Sequence, residues 1–116
     1  MHRPGANTHN VQPSDVLCDF CHGSWDGASP VVEGHHGSII CGACLTIAYT
    51  RLVVEGNGSA PAGYSCTMCL EQREEAGWQS PAHPDACICR RCANQSARVL
   101  DRDPDYDWER PDRAKS

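Results

Sequence analysis

Aromatic residues make up only 6% of this 116-residue chain, with a single phenylalanine, so neither half can assemble a sizeable apolar core. Long hydrophobic runs are absent too: nothing approaches the ~20 consecutive apolar residues that a membrane span requires. Met1 to Ser14 is polar, without an apolar stretch after a basic start, which argues against an export signal and for a reducing, cytoplasmic setting. Positive charge is scarce. Ten Lys and Arg face fifteen Asp and Glu, for a net charge of −5, the opposite of the basic bias of a nucleic-acid binder. There is no G-x₄-G-K-[ST] phosphate loop, which excludes P-loop nucleotide chemistry. No Ser/His/Asp grouping or paired carboxylate outside the C-terminal tail suggests an active site, so the chain reads as non-enzymatic.

What the chain has instead is cysteine. Eight of nine form two copies of C-x₂-C-x₁₉-C-x₂-C: Cys18, Cys21, Cys41 and Cys44, then Cys66, Cys69, Cys89 and Cys92. Each member of the second set lies 48 residues after its counterpart, which reads as a tandem duplication of one metal-binding unit. A C-x₂-C pair puts two thiolates on one tight turn, and two such pairs complete the four-thiolate coordination of a structural zinc ion. Two Zn²⁺ per chain are expected. Units of this size, barely above the ~40 residues below which hydrophobic burial alone rarely suffices, need such an ion to order them. A disulfide scaffold would suit an oxidising compartment, but without an export signal paired cysteines mean metal. Loading both sites adds −2 at each and takes the chain to a net charge of about −9.

The organisation follows the cysteines. Residues 1–14 read as a disordered leader, 15–56 as finger one, 57–63 as a flexible Gly/Ser/Pro linker, 64–103 as finger two and 104–116 as a disordered acidic tail. In the first unit, Pro30 to Glu33 and Ser38 to Ile40 predict a hairpin around Gly34-His35-His36-Gly37. Leu45, Ala48, Tyr49 and Leu52 then mark one apolar helical face, repeated as Ala93, Ser96, Ala97 and Leu100, with Gly56 a plausible helix stop. Knuckle, hairpin and ligand-bearing helix together make a treble clef. The fold expected is small, metal-stabilised α+β with two tandem treble-clef zinc fingers.

The stretches Cys18-Asp19-Phe20-Cys21 and Ser38-Ile39-Ile40-Cys41-Gly42-Ala43-Cys44-Leu45 resemble the N-terminal zinc-binding domain of ClpX, the protein-unfolding ATPase. Phe20 inside the first pair, apolar Ile40 before the third cysteine and the helix from Leu45 carry the likeness. It extends to residues 64–101 mainly through the cysteines, Ile88 and Leu100. That family's finger is not catalytic; it dimerises and docks substrates or adaptors. The resemblance therefore implies a duplicated recognition module without the ATPase, two fused fingers standing in for a dimer.

Several smaller features carry alternatives. Cys18 to His22 spells C-x-x-C-H, the haem-attachment sequence, but both cysteines already have partners at the repeated offset. Identical offsets predict self-contained sequential sites rather than cross-braced ones. None of the four pairs reads C-P-x-C-G, so iron is not favoured. Cys87, the counterpart of Ile39, is most simply a small buried hydrophobe, though a thiol redox or zinc-release sensor is a third reading. Arg90, Arg91 and Arg98 on the second helix are the best feature of a nucleic-acid-associated finger, the runner-up. The leading expectation is a protein-interaction module, an adaptor or a self-associating one. Ile47, Val53 and Val54, lying off the buried helical face, are candidate partner residues, as are Tyr106 and Trp108 in the tail.

Overall fold

The computed structural model describes Met1 and residues 12–111; residues 2–11, within the expected leader, and 112–116, at the end of the expected tail, lie outside the described residues. Strands β1 (Val31–Glu33) and β2 (Ile39–Cys41) form one antiparallel hairpin, followed by helix α1 (Gly42–Tyr49). Strands β3 (Gly77–Gln79) and β4 (Cys87–Cys89) form the second, followed by α2 (Arg90–Arg102). The molecule is thus a small α+β protein built from two two-stranded sheets and two helices. No described helix is long and apolar enough to cross a membrane.

Each unit opens on a tight turn around its first C-x₂-C pair. Leu17 bridges Ser24 and, 48 residues on, Ser65 bridges Gln72, closing the two C-x₂-C turns. Within them the His22 N–H donates to the Cys18 carbonyl at 2.8 Å and the Leu70 N–H to the Cys66 carbonyl at 2.7 Å. His22 and Leu70 take left-handed backbone conformations, φ 58° and 63°, which close the turn just after the second cysteine. A further bond ties each turn to its hairpin: Asp19 N–H to the Ile39 carbonyl, and Thr67 N–H to the Cys87 carbonyl.

The equal 48-residue offset conceals a compensated shift. In the first unit Val31 pairs with Cys41, whereas in the second Gly77 pairs with Cys89, so equivalent strand positions are 46 residues apart. The segment leading into the first hairpin is two residues longer, and the loop within the second hairpin is two residues longer. The cysteine intervals are preserved because the two shifts cancel between the second and third cysteines of each unit.

The helical faces expected from periodicity are the buried ones: Leu45, Ala48, Tyr49 and Leu52 in the first unit, Ala93, Ser96, Ala97 and Leu100 in the second. After Tyr49 the first helix continues as a π-helical turn, Thr50–Val54, in which Glu55 N–H reaches back to the Thr50 carbonyl at 2.9 Å. The wider turn carries Leu52 into the core and leaves Val53 and Val54 partly buried against it. Gly56, at φ 71°, then ends the segment.

The two units are not beads on a string. Phe20 and Trp78 rings lie 5.9 Å apart, and the Ser80 hydroxyl donates to the Phe20 carbonyl. On the other side the His35 N–H donates to the Met68 carbonyl at 2.9 Å, and a Cβ on Gly34 would sit 2.6 Å from that same oxygen. Phe20 and Met68 are equivalent in the repeat, and Gly34 and Ser80 are equivalent in the hairpin register. The contacts are therefore reciprocal, as at the interface of a two-fold dimer. The helices obey the same relation: α1 packs on α2, α2 against β1, and Thr50–Val54 against β3. A single core runs through both units.

Two sequence expectations differ from this packing. The segment 57–63 is not a free linker: Ser59 and Ala60 N–H groups both donate to the Gly77 carbonyl, and the Ser59 hydroxyl accepts from Gln79 N–H. The tail is not free either. Trp108 is only 9% exposed, and its indole N–H is shared between the Gly42 carbonyl at 3.1 Å and Thr46 Oγ1 at 3.0 Å. Tyr106 packs half-buried against the core, and Arg110 pairs with Asp101 at 3.4 Å. An amphipathic indole beside an apolar wall, with acceptors for its N–H, finds a better place there than in water. Trp108→Ala should therefore destabilise the metal-loaded protein by about 3 kcal/mol in chemical denaturation, the usual scale for emptying a buried tryptophan site; an unchanged midpoint would return the tail to solvent.

Candidate metal centres

Cys18 and Cys21 come from the first turn, Cys41 from the end of β2 and Cys44 from the first turn of α1; their sulfurs all lie within 4.8 Å of one another. Cys66, Cys69, Cys89 and Cys92 repeat the arrangement in the second unit. The pairing is sequential: each cluster draws only on its own repeat. All nine cysteines are free thiols, so the disulfide alternative is not realised. A tetrahedral ion with ~2.3 Å bonds to sulfur sets its ligands about 3.8 Å apart, and the Cys21 and Cys41 sulfurs are 3.9 Å apart. The residues fit a four-coordinate thiophilic ion.

The backbone is arranged to support negative sulfur. Phe20 and Cys41 N–H groups both point at Cys18 Sγ at 3.4 Å, and Gly23 N–H points at Cys21 Sγ at 3.4 Å. In the second cluster Cys89 N–H donates to Cys66 Sγ and Cys92 N–H to Cys89 Sγ, both at 3.4 Å. The last ligand of each set sits at a helix N-terminus, where unpaired N–H groups add positive potential. One difference separates the clusters. Arg73 places Nη2 3.6 Å from Cys69 Sγ, while the position 48 residues earlier is Trp25, whose indole donates to the Ser29 carbonyl instead.

Crowded thiols divide their protons unequally. Cys18 is held far below the usual thiol range by S–H donation from Cys41 and Cys44, with backbone N–H groups adding to it. Cys41 is pushed up to about 11 by donating to Cys18, and Cys44 is raised further for the same reason. The second cluster behaves alike: Cys66 is lowered by Cys89 and Cys92, and Cys89 is pushed up to about 12 chiefly by its bond to Cys66. Each cluster thus favours a thiolate at its first cysteine, Cys18 or Cys66, and binding an ion through four thiolates must expel the protons held at Cys41 and Cys44 or at Cys89 and Cys92. Cys87, outside both clusters, is buried, and burial raises its thiol.

The other sequence candidates fall in different places. Ile47 is exposed on α1, whereas Val53 and Val54 are partly buried against the core, so they do not form one apolar patch with it. Val53 lies four residues after buried Tyr49 and eight after Leu45, on the face that 3.6-residue periodicity assigns to the core, and Val54 follows it within the π-helical turn. Tyr106 and Trp108 are occupied within the chain, as described above. Arg90, Arg91 and Arg98 are exposed along α2. His22 and His83, from different units, stack face to face with ring centres 3.4 Å apart. Sequence reasoning missed Arg73; a basic residue four positions after a ligand cysteine, present in one repeat and absent from the other, was the available signal.

Comparison with protein-family models, curated proteins and solved structures returns no match. Sequential pairing has a direct consequence. Cys21→Ser should reduce the metal content by one ion per chain and leave the second cluster loaded. Elemental analysis that finds both ions lost would point to shared ligands.

Proposed function

We propose that the protein is a zinc-binding, non-enzymatic interaction module, in which two structural zinc ions order a pair of treble-clef fingers that presents a surface to a protein partner. The observation that carries this reading is the pair of complete four-sulfur clusters: each offers four ligands to an ion that takes four, with no protein position left over for a substrate or an activated water. Zinc suits the donor set because four thiolates in a compact, pre-formed cage match its tetrahedral preference. The order of turn, hairpin and ligand-bearing helix in each unit supports the treble-clef assignment.

The reciprocal packing of the units supports the likeness to a ClpX-type domain acting as an internal dimer. Each unit fills the contact surface of the other, and the contact a two-chain dimer would use is satisfied within one chain. The surface left for a partner is then elsewhere, and Ile47 is the best anchor. It is 48% exposed while Leu45, Ala48 and Tyr49 on the same helix are buried. Its counterpart in the second unit is Gln95, so the two helices offer a partner different faces. Burying one such side chain contributes about 1.5–3 kcal/mol, roughly a ten- to hundredfold change in affinity.

Protein purified under reducing conditions should contain two zinc ions per chain, and acidification should release them as protons compete for the thiolates. One ion, or none, by elemental analysis would sink the metal assignment. Ile47→Asp should keep both ions and abolish capture of the partner recovered from native cells with the wild-type chain. Capture that survives in the fully loaded variant would remove α1 as the docking face.

A further inference from the structure

The two clusters share a ligand set but not an environment. In the first, Cys21 is exposed and Cys41 half-exposed; in the second, only Cys69 is more than marginally accessible. A groove of about 450 Å³ opens against the first cluster. Cys18, Cys21 and Cys41 form its floor, and Trp25, Pro30 and Trp108 supply apolar walls. A second groove, of about 390 Å³, reaches Cys69 and Cys92, but its rim carries Glu33, His35 and Gln95. There the most accessible sulfur, that of Cys69, faces the Arg73 guanidinium at 3.6 Å.

These differences act on sulfur chemistry in one direction. Four thiolates around a divalent ion keep a net charge of −2, which makes the sulfurs nucleophilic. A guanidinium N–H pointed at one of them draws electron density from it and offsets part of that charge. Where Arg73, itself paired with Glu71 and Glu75, gives Cys69 a charged donor, the first unit has Trp25, which gives Cys21 none and leaves it only the neutral Gly23 N–H at 3.4 Å. The first cluster is therefore the more nucleophilic, the more open, and the one approached through apolar walls that favour an uncharged reagent.

We propose that the first cluster is a reactive thiolate site for small, apolar, uncharged electrophiles of the α,β-unsaturated carbonyl class, with Cys21 the sulfur that is modified, while the second is purely structural. In the step, the Cys21 lone pair forms an S–C bond to the β-carbon. The C=C π pair shifts to give an enolate, which takes a proton from water. The product is a neutral thioether, a far weaker zinc ligand than a thiolate, so the first ion is lost and the groove side of the first unit loosens. The Trp108 contact, which lines that groove, loosens with it.

The inference rests on the proposed zinc loading, and the experiment separates the two. The full chain is first shown to hold two zinc ions; failure there counts against the metal assignment. N-ethylmaleimide is then added, zinc release is followed with a chromogenic chelator, and the modified cysteines are mapped by peptide mass spectrometry. One ion should leave in a fast phase with the label on Cys21. The other should leave at least about tenfold more slowly, the scale of one charge-assisted hydrogen bond, with Cys69 and Cys87 labelled only then. Release of both ions at one rate, or first labelling at Cys69, overturns the proposal. Arg73→Gln should load two ions and accelerate only the slow phase. A slow phase that is unchanged in the fully loaded variant would show that Arg73 does not tune the reactivity of Cys69.

Discussion

Four sulfur atoms gathered within 4.8 Å, twice over in a small chain, are the constraint on which this structure depends. Ionised together they repel strongly; protonated they are a poor core. A cation at the centre removes the conflict, and the local structure is arranged around that requirement. The left-handed residues after Cys21 and Cys69, the N–H groups aimed at Cys18 and Cys66, and the helices that begin at Cys41 and Cys89 all bring sulfurs together or stabilise their charge. Structural zinc supplies on the order of 10–16 kcal/mol in small fingers at neutral pH, comparable to the whole net stability of an ordinary domain.

Metal alone does not explain the remainder of the packing. Each unit places one side of its hairpin and helix against the other unit, and the reciprocal contacts of Phe20 with Ser80 and Met68 with His35 fuse two small cores into one. A tandem repeat favours this outcome, since a surface that suits its own copy is present twice at high effective concentration. The C-terminal segment adds a strap: it leaves the second unit, crosses back, and seats Trp108 on the N-terminal turn of the first unit's helix. The two four-sulfur clusters thus share no ligand yet are mechanically joined.

Symmetry of scaffold also makes departures from symmetry informative. Ile47 against Gln95, and Trp25 against Arg73, are places where equal backbones carry unequal side chains. The first pair gives the helices different outer faces. The second gives the clusters different electrostatic surroundings. Both changes leave the four-sulfur geometry alone, so a duplicated unit holds two like clusters in unlike surroundings.

Much of this was legible in the residues. The ligand sets, their sequential pairing, the first hairpin and the buried faces of both helices follow from spacing and periodicity, because a tetrahedral ion and a 3.6-residue helix impose fixed intervals on the chain. The docking of the two units, the seating of Trp108 and the partial burial of Val54 did not follow. Trp108 reads as a polar-tail aromatic until Gly42, 66 residues away, supplies its carbonyl. The two-residue slide between the hairpins is hidden by equal ligand intervals. The sequence by itself determined which atoms meet at each cluster, since metal geometry is local and leaves little choice. Which surfaces meet between the units was decided only by the tertiary structure, because apolar contact is non-directional and its partners depend on where everything else has packed.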